Sequence, residues 1–208
     1  MMMQNQIVIV NYGMGNLNSV KKKLIRLNVN AIISSDLNDI LSADKLILPG
    51  VGHFQKAMEN LKILNLLDTL NTFVHVKQKP ILGICLGMQL MANRSEEGNI
   101  EGLGWIDADV VKFRVKDNLK YKVPHVGWNQ INKLKESFLM KNIPELSEFY
   151  FVHSYHFQAN NNSDILNETN YEYKFSSAIE KNNIFGVQYH PEKSHDVGEQ
   201  LLRNFVEL

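Results

Sequence analysis

The chain carries one cysteine, Cys85, at the centre of Gly83-Ile84-Cys85-Leu86-Gly87. The apolar run Pro80-Ile81-Leu82 precedes it and an apolar helix-forming run follows. This is a nucleophile elbow written with a thiol. A buried strand ends, the chain turns sharply, and a helix begins. Glycines two residues either side let neighbouring backbone approach without a clashing Cβ. Such a turn lifts the sulfur out of the sheet, while the N–H groups and positive dipole end of the new helix favour the thiolate. A thiolate needs a proton-handling partner, and Gly186-Val187-Gln188-Tyr189-His190-Pro191-Glu192-Lys193-Ser194 supplies one. A strand delivers His190 to its end, Pro191 fixes the backbone, and Glu192 stands two residues on. A carboxylate held against one imidazole nitrogen selects the tautomer whose other nitrogen can take a thiol proton. Cys85, His190 and Glu192 therefore read as nucleophile, base and orienter.

An acyl-transfer intermediate also needs backbone donors for its oxyanion. The N–H of Leu86, just after the nucleophile, is one candidate. The other falls in Pro49-Gly50-Val51-Gly52, whose glycines permit an inward-facing peptide. His153 and His156 stand three apart but lack a nearby cysteine or carboxylate cluster, so the sequence predicts no metal site.

The elements that must position these groups follow from the hydrophobic pattern. Residues 7–10, 31–34, 45–48 and 81–84 read as strands. Residues 17–27, 37–41, 54–60 and 66–76 read as helices, the second capped by Asp36. Alternation of this kind predicts an α/β fold with parallel βαβ units and a sheet covered on both faces. Gly-bearing loops follow the strands ending at Val10, Leu48 and Ile84, and sites in open parallel sheets form outside such strand ends. In the second half, residues 110–113, 148–152, 177–179 and 184–188 are strand-like and spaced as an antiparallel meander. Residues 197–206 close the chain as a helix, and the polar segment 160–170 reads as an exposed loop or hairpin. With no linker or repeat, the 208 residues predict a single domain, 1–208.

Hydrophobic residues make up 44% of the chain, enough for a sizeable core, and 22 Lys+Arg balance 22 Asp+Glu. A neutral chain is a poor general nucleic-acid binder. One cysteine makes no internal disulfide, so nothing suggests an oxidising compartment. Met1-Met2-Met3-Gln4-Asn5-Gln6 lacks basic residues, and Ile7-Val8-Ile9-Val10 is too short for a signal peptide or membrane span. A soluble cytoplasmic protein is the expectation.

Gly83-Ile84-Cys85-Leu86-Gly87-Met88-Gln89 with Val187-Gln188-Tyr189-His190-Pro191-Glu192 resembles the triad class of glutamine amidotransferases, class I. Asn11-Tyr12-Gly13-Met14-Gly15-Asn16, Leu48-Pro49-Gly50-Val51-Gly52, Ser95-Glu96-Glu97-Gly98, Pro124-His125-Val126-Gly127-Trp128-Asn129, Tyr150-Phe151-Val152-His153-Ser154-Tyr155 and His190-Pro191-Glu192-Lys193-Ser194 are similar to the glutaminase subunits of imidazole glycerol phosphate synthases. The match runs from residue 7 to the C-terminus. The resemblance implies that Cys85 attacks the side-chain amide of glutamine, with His190 and Glu192 handling the protons. It implies an oxyanion hole at Val51, Gly52 and Leu86. Gln89, Glu97, His153, Ser154 and Tyr155 would contact the substrate, Glu97 through its α-ammonium. No cofactor is implied. The implied partner is a (β/α)8-barrel cyclase subunit, forming a heterodimer that receives the ammonia for histidine biosynthesis. Asn11, Asn16, His125, Trp128, Asn129, Tyr150 and Lys193 would lie at that interface or along the ammonia passage. Ser194-His195 and Ser176-Ser177-Ala178-Ile179-Glu180 also resemble paralogues that aminate a surface-polysaccharide sugar with a cyclase-like partner. A cysteine peptidase or stress protein shares the elbow, but such proteins usually lack the late His-Pro-Glu.

Overall fold

The computed structural model describes residues 6–208. Residues 1–5, on which the reading of the N-terminus largely falls, lie outside the described residues. The first half alternates as its pattern predicts: β1 (Ile7–Val10), α1 (Leu17–Arg26), β2 (Ala31–Ser34), α2 (Leu37–Ser42), β3 (Lys45–Gly50), α3 (Phe54–Ile63), α4 (Leu66–Asn71), β4 (Ile81–Cys85) and a single turn, α5 (Leu86–Gln89). Asn16 opens α1 by accepting the Ser19 N–H, and Asp36 opens α2 by accepting those of Asn38 and Asp39. Each satisfies donors that a helix start leaves unpaired. The helix expected over 66–76 is α4 continued by a π-helical turn, Thr72–Val76.

The second half adds β5 (Arg94–Ser95), β6 (Ile100–Glu101), β7 (Ala108–Lys112), β8 (His125–Gln130), β9 (Asn132–Lys133), β10 (Glu148–His153), β11 (Tyr155–Ala159), β12 (Ile165–Tyr171), β13 (Tyr173–Lys181), β14 (Ile184–Val187) and α6 (His195–Glu207). Strands β2-β1-β3-β4-β14 lie side by side and parallel. β13, β11 and β7 continue the sheet antiparallel, while β8 and β10 form a separate ribbon.

The parallel strands are buried on both faces, and alternation sorts their side chains. Ile7, Ile9, Ile47, Leu82 and Ile84 pack with Val20 and Leu24 of α1 and Leu201 and Phe205 of α6. Val8, Val10, Leu46 and Leu48 pack with Ile40 of α2, Phe54 and Leu61 of α3 and Leu70 of α4. Lys45 Nζ donates to the Val206 carbonyl at 2.6 Å, tying the last turn of α6 to β3.

One expectation is extended and one corrected. Residues 184–188 read as part of the antiparallel meander, and β14 does pair antiparallel with β13; on its other edge it also runs parallel to β4, so it joins the meander to the parallel sheet. All four of its residues are buried, which a continuous Ile-Phe-Gly-Val run satisfies in a covered parallel sheet. The segment 160–170, expected at the surface, is largely β12, with Leu166, Asn167 and Thr169 buried. Several of its polar groups find partners inside: Asn167 Nδ2 donates to the Tyr189 hydroxyl at 3.0 Å, and Thr169 Oγ1 to Ser177 Oγ at 2.8 Å, while Asn167 Oδ1 is buried without a partner. Satisfied polar groups are tolerated in a core, so polarity alone misplaces this strand.

Close packing behind the elbow depends on glycine. A Cβ on Gly87 would overlap the Leu48 carbonyl, and one on Gly83 would lie 2.7 Å from the Gly87 carbonyl. These are backbone atoms on buried strands, with little freedom to move. Gly87→Ala is expected to cost about 3 kcal/mol, read as a lower urea midpoint; an unchanged midpoint would show that the elbow packs less tightly than described.

Candidate active site

The parallel ladder places the reactive groups. Gly50 of β3 stands in register with Cys85 of β4, so Val51 and Leu86 leave the two strand ends side by side. On the other flank Val187 of β14 pairs with Ile84. Three residues beyond Val187 the chain reaches His190, at the same end of the sheet. Cys85 has φ 54° and ψ −110° and is 5% exposed. A non-glycine residue there carries about 1–3 kcal/mol of strain. The helix expected to follow is the one turn of α5, so the dipole contribution reduces to its first free N–H groups.

His190 is held from several sides. Its N–H donates to the Tyr150 carbonyl at 2.9 Å, and its carbonyl accepts from Ser194 Oγ at 2.6 Å. Nδ1 lies 2.8 Å from Glu192 Oε1, both side chains being almost wholly buried. A carboxylate only accepts, so Nδ1 carries the proton. Nε2 is buried and makes no hydrogen bond. Burial pulls the imidazole pKa down, but the Cys85 thiolate and then the Glu192 carboxylate outweigh it and raise it to about 10. A cysteine sulfur with a proton-holding imidazole at the same end of the sheet suits attack on an acyl carbon followed by protonation of a departing amine.

Cys85 opens into a cleft of about 270 Å³. Val51, Gly52 and Leu86 line it near the sulfur. Gln89, Glu97, His153, Ser154 and Tyr155 form the rest of its wall, together with Pro124 and Val152. All the residues expected to form the oxyanion hole or contact substrate therefore meet in one cavity. A second cleft, about 320 Å³, opens between β11 and β13; its Arg114 and Lys174 are paired with Glu96 and Glu168, and Cys85 is not among its lining residues.

A family model for glutamine amidotransferase class-I matches residues 8–208. The chain belongs to the class-I glutamine amidotransferases.

Among curated relatives, it is 49% identical to the imidazole glycerol phosphate synthase subunit HisH 2 of Methanococcus maripaludis, covering 96% of this chain and 98% of that one. It is 48% identical to subunit HisH 2 of Pseudomonas aeruginosa, with 97% and 99% covered. Subunit HisH 1 of Methanococcus maripaludis is 43% identical, again with 97% and 99% covered. In fold it is similar to the crystal structure of a glutamine amidotransferase from Thermotoga maritima, with TM-score 0.68, 14% identity and coverage of 99% of this chain and 97% of that one.

The class-I cleft assigns its polar groups unevenly. Glu97 Oε2 accepts the Phe54 N–H at 2.7 Å and so caps α3, whose own N-cap residue His53 provides no side-chain bond. Its second oxygen remains for a ligand. Gln89 Nε2 donates to the Tyr155 carbonyl and to Gln188 Oε1, each at 2.9 Å. With both amide protons used, Gln89 can offer a ligand only its carbonyl oxygen. His153, expected to contact substrate, has both ring nitrogens engaged. Nδ1 faces the Tyr155 carbonyl at 2.7 Å and Nε2 faces His125 Nδ1 at 3.1 Å. The carbonyl accepts, so His153 carries its proton on Nδ1, and His125 Nδ1–H donates to the bare Nε2. Burial lowers both imidazoles, His125 to about 4 and His153 well below the ordinary range. His153 is thus a neutral wall residue.

The expected interface residues divide in the same way. On β8 the side chains of His125 and Asn129 point inward, Asn129 Nδ2 donating to His125 Nε2 and to the Asn170 carbonyl. Strand alternation leaves Val126 and Trp128 as the outward pair, 56% and 44% exposed. Trp128 lies opposite Tyr150, Lys193 Nζ sits 5.3 Å from the Tyr150 ring centre, and His195 stacks flat on Trp128 at 4.8 Å. Asn11 Oδ1 accepts the Gly13 N–H, and Asn16 caps α1. Gln188 is not among the residues that the sequence marks as a site. Its buried Nε2 donates to Cys85 Sγ at 3.6 Å while its Oε1 holds Gln89. A buried amide one step before Tyr189-His190 is the available signal. Among the described residues no group of three or more His, Cys, Asp or Glu could hold a metal.

Proton affinity at His190 sets a pH dependence. Because the folded pKa is raised from 6.5 to about 10, the stabilisation it brings is complete below 6.5 and is lost as pH rises through about 10. The general acid disappears over the same interval. Glutamine hydrolysis is expected to show an alkaline limb near pH 10, and Glu192→Gln should move that limb down by about one unit. An unmoved limb in the kcat/KM profile would mean that Glu192 does not act on the imidazole.

Proposed function

We propose that this chain is the glutaminase subunit of an imidazole glycerol phosphate synthase, a single amidotransferase domain spanning residues 1–208 and working in the cytoplasm. The observation that carries this reading is the meeting of Cys85 with the oxyanion-loop and substrate residues at one cleft, with the bonded His190–Glu192 pair at the same end of the sheet, in a chain similar along nearly its full length to subunits of that name. Cys85 Sγ attacks the side-chain carbonyl carbon of glutamine. The N–H groups of Val51 and Leu86 receive the oxyanion, with Gly52 shaping the loop. His190 passes its proton to the nitrogen as the C–N bond breaks, releasing ammonia and leaving a glutamyl thioester. Neutral His190, held by Glu192, then takes a proton from water, which attacks the thioester and frees glutamate. Gln89 accepts a hydrogen bond from the substrate, and the free oxygen of Glu97 pairs with its α-ammonium.

Ammonia passes to a (β/α)8-barrel cyclase subunit in a heterodimer. The exposed face of Val126, Trp128, Tyr150 and Lys193 borders the cleft through Pro124 and Val152, which suits docking there. A second reading keeps the glutaminase and changes the acceptor to a surface-polysaccharide sugar. The observation that favours it is that His195, in the Ser194-His195 stretch that resembles such paralogues, covers Trp128 on the docking face. Incubation of the chain with a histidine-pathway cyclase, its nucleotide substrate and glutamine separates the readings. Imidazole glycerol phosphate is expected; its absence, when ammonium salts alone do support the cyclase, would exclude the first reading.

A lone glutaminase would waste glutamine, so the oxyanion loop is expected to be organised by the partner. The cyclase with its nucleotide ligand should raise kcat about 100-fold or more, with KM little changed, because an oxyanion donor acts in the transition state. Gly52 has φ 119°, and Gly52→Ala should blunt the stimulation without preventing assembly. An isolated chain already running at the full rate of the complex would contradict this. Cys85→Ala should abolish glutamine hydrolysis and leave assembly intact, measured by ammonia release and gel filtration.

A further inference from the structure

Tyr12, in the loop after β1, is fully buried and has no part in the steps above. Its hydroxyl donates to the Pro49 carbonyl at 2.7 Å. That carbonyl belongs to the peptide entering Gly50, immediately ahead of the Val51 N–H. Gly50 has no space for a Cβ, because the Tyr12 hydroxyl and Leu86 Cβ occupy it. Burial, and then the charge of Cys85, raise the phenol far above the ordinary tyrosine range, so it remains a donor at any working pH. Only φ and ψ of Gly50 separate the pinned carbonyl from the orientation of the Val51 N–H. At the far end of the loop, the Phe54 N–H is fixed by Glu97. The loop is therefore anchored at two points, and Tyr12 supplies the one nearer the nucleophile.

We propose that Tyr12 is a positioning residue, whose hydroxyl holds the Pro49–Gly50 peptide so that the Val51 N–H meets the oxyanion formed when Cys85 attacks the amide. This rests on the glutaminase reading of Cys85. Tyr12→Phe removes one oxygen and keeps the ring. Two reactions of the same sulfur separate its effects. Glutamine hydrolysis builds an oxyanion. Alkylation by iodoacetamide forms an S–C bond, expels iodide and builds none. Cys85 is the only cysteine of this chain, so the mass shift of this chain, resolved from the cyclase by mass spectrometry, reads its alkylation.

In the complex with the cyclase, Tyr12→Phe is expected to lower kcat for glutamine about ten-fold or more, a fraction of what a lost oxyanion donor costs. KM and the alkylation rate should stay within about two-fold. Thr169→Val, which loses a buried hydroxyl bond to Ser177 of 2.8 Å far along the sheet, calibrates general destabilisation and should leave both rates unchanged. Tyr12→4-aminophenylalanine, which returns an N–H donor, should recover kcat. An unchanged kcat in Tyr12→Phe, or kcat and alkylation falling together, would overturn the proposal. Wild-type complex that alkylates but does not hydrolyse glutamine would instead overturn the glutaminase reading on which it stands.

Discussion

At Cys85 the backbone turns with φ 54° and ψ −110°, a conformation that a side chain makes unfavourable. Nothing local relieves it. The turn persists because β4 lies between β3 and β14 and because α5 folds back onto that layer through Gly83 and Gly87. The strain is offset by apolar side chains buried on both faces of the sheet, where each fully buried Leu, Ile or Val contributes about 1.5–3 kcal/mol. The doubly covered sheet and the cleft-facing geometry of the sulfur are thus one arrangement. Loosening the packing behind the elbow would let the turn relax and withdraw the sulfur from the cleft.

Proton distribution around the sulfur follows from the same burial. Three imidazoles, those of His125, His153 and His190, lie close to the cleft, all desolvated. Desolvation lowers the pKa of His125 and, with the neighbouring imidazoles adding to it, that of His153. His190 alone has both a carboxylate and a thiolate acting on it, and alone is pushed toward the charged form. The neutral pair carries a directional chain of hydrogen bonds from Asn129 through His125 and His153 to the Tyr155 carbonyl, which also receives Gln89. The presence or absence of a charged neighbour thus separates the neutral wall histidines from His190, the one that readily holds a second proton.

Much of this was legible in the residues. The strand–helix alternation of the first half, the Asp36 cap and the joining of residues 85, 190 and 192 followed from period, capping chemistry and the Gly-x-Cys-x-Gly turn. What escaped was set by pairing across the fold. The polar letters of β12 resembled a loop until Tyr189 and Ser177 were seen to take up its Asn167 and Thr169. β14 resembled a meander strand, which it is against β13, but pattern does not state that its other neighbour is the parallel β4. His153 resembled a substrate contact and His125 an interface residue until each nitrogen had a partner, and the inward turn of Asn129 is a matter of strand phase. Gln188 and Tyr12 are single polar residues whose importance lies wholly in what they touch.

The place of β14 bears on how the molecule is made. It is the last strand in sequence, yet it fills a slot between β4 and β13 in the interior of the sheet. A polypeptide emerging in order from the ribosome holds its thiol long before that slot can be filled. Until then two strand edges stand open, prone to pairing with other chains, and the thiol has neither its imidazole nor its amide neighbour from residue 188. Insertion of β14 closes the edges and delivers Gln188 and His190 together. Completion of folding and arming of the nucleophile are consequently a single event, and a nascent or truncated chain has an unassisted thiol.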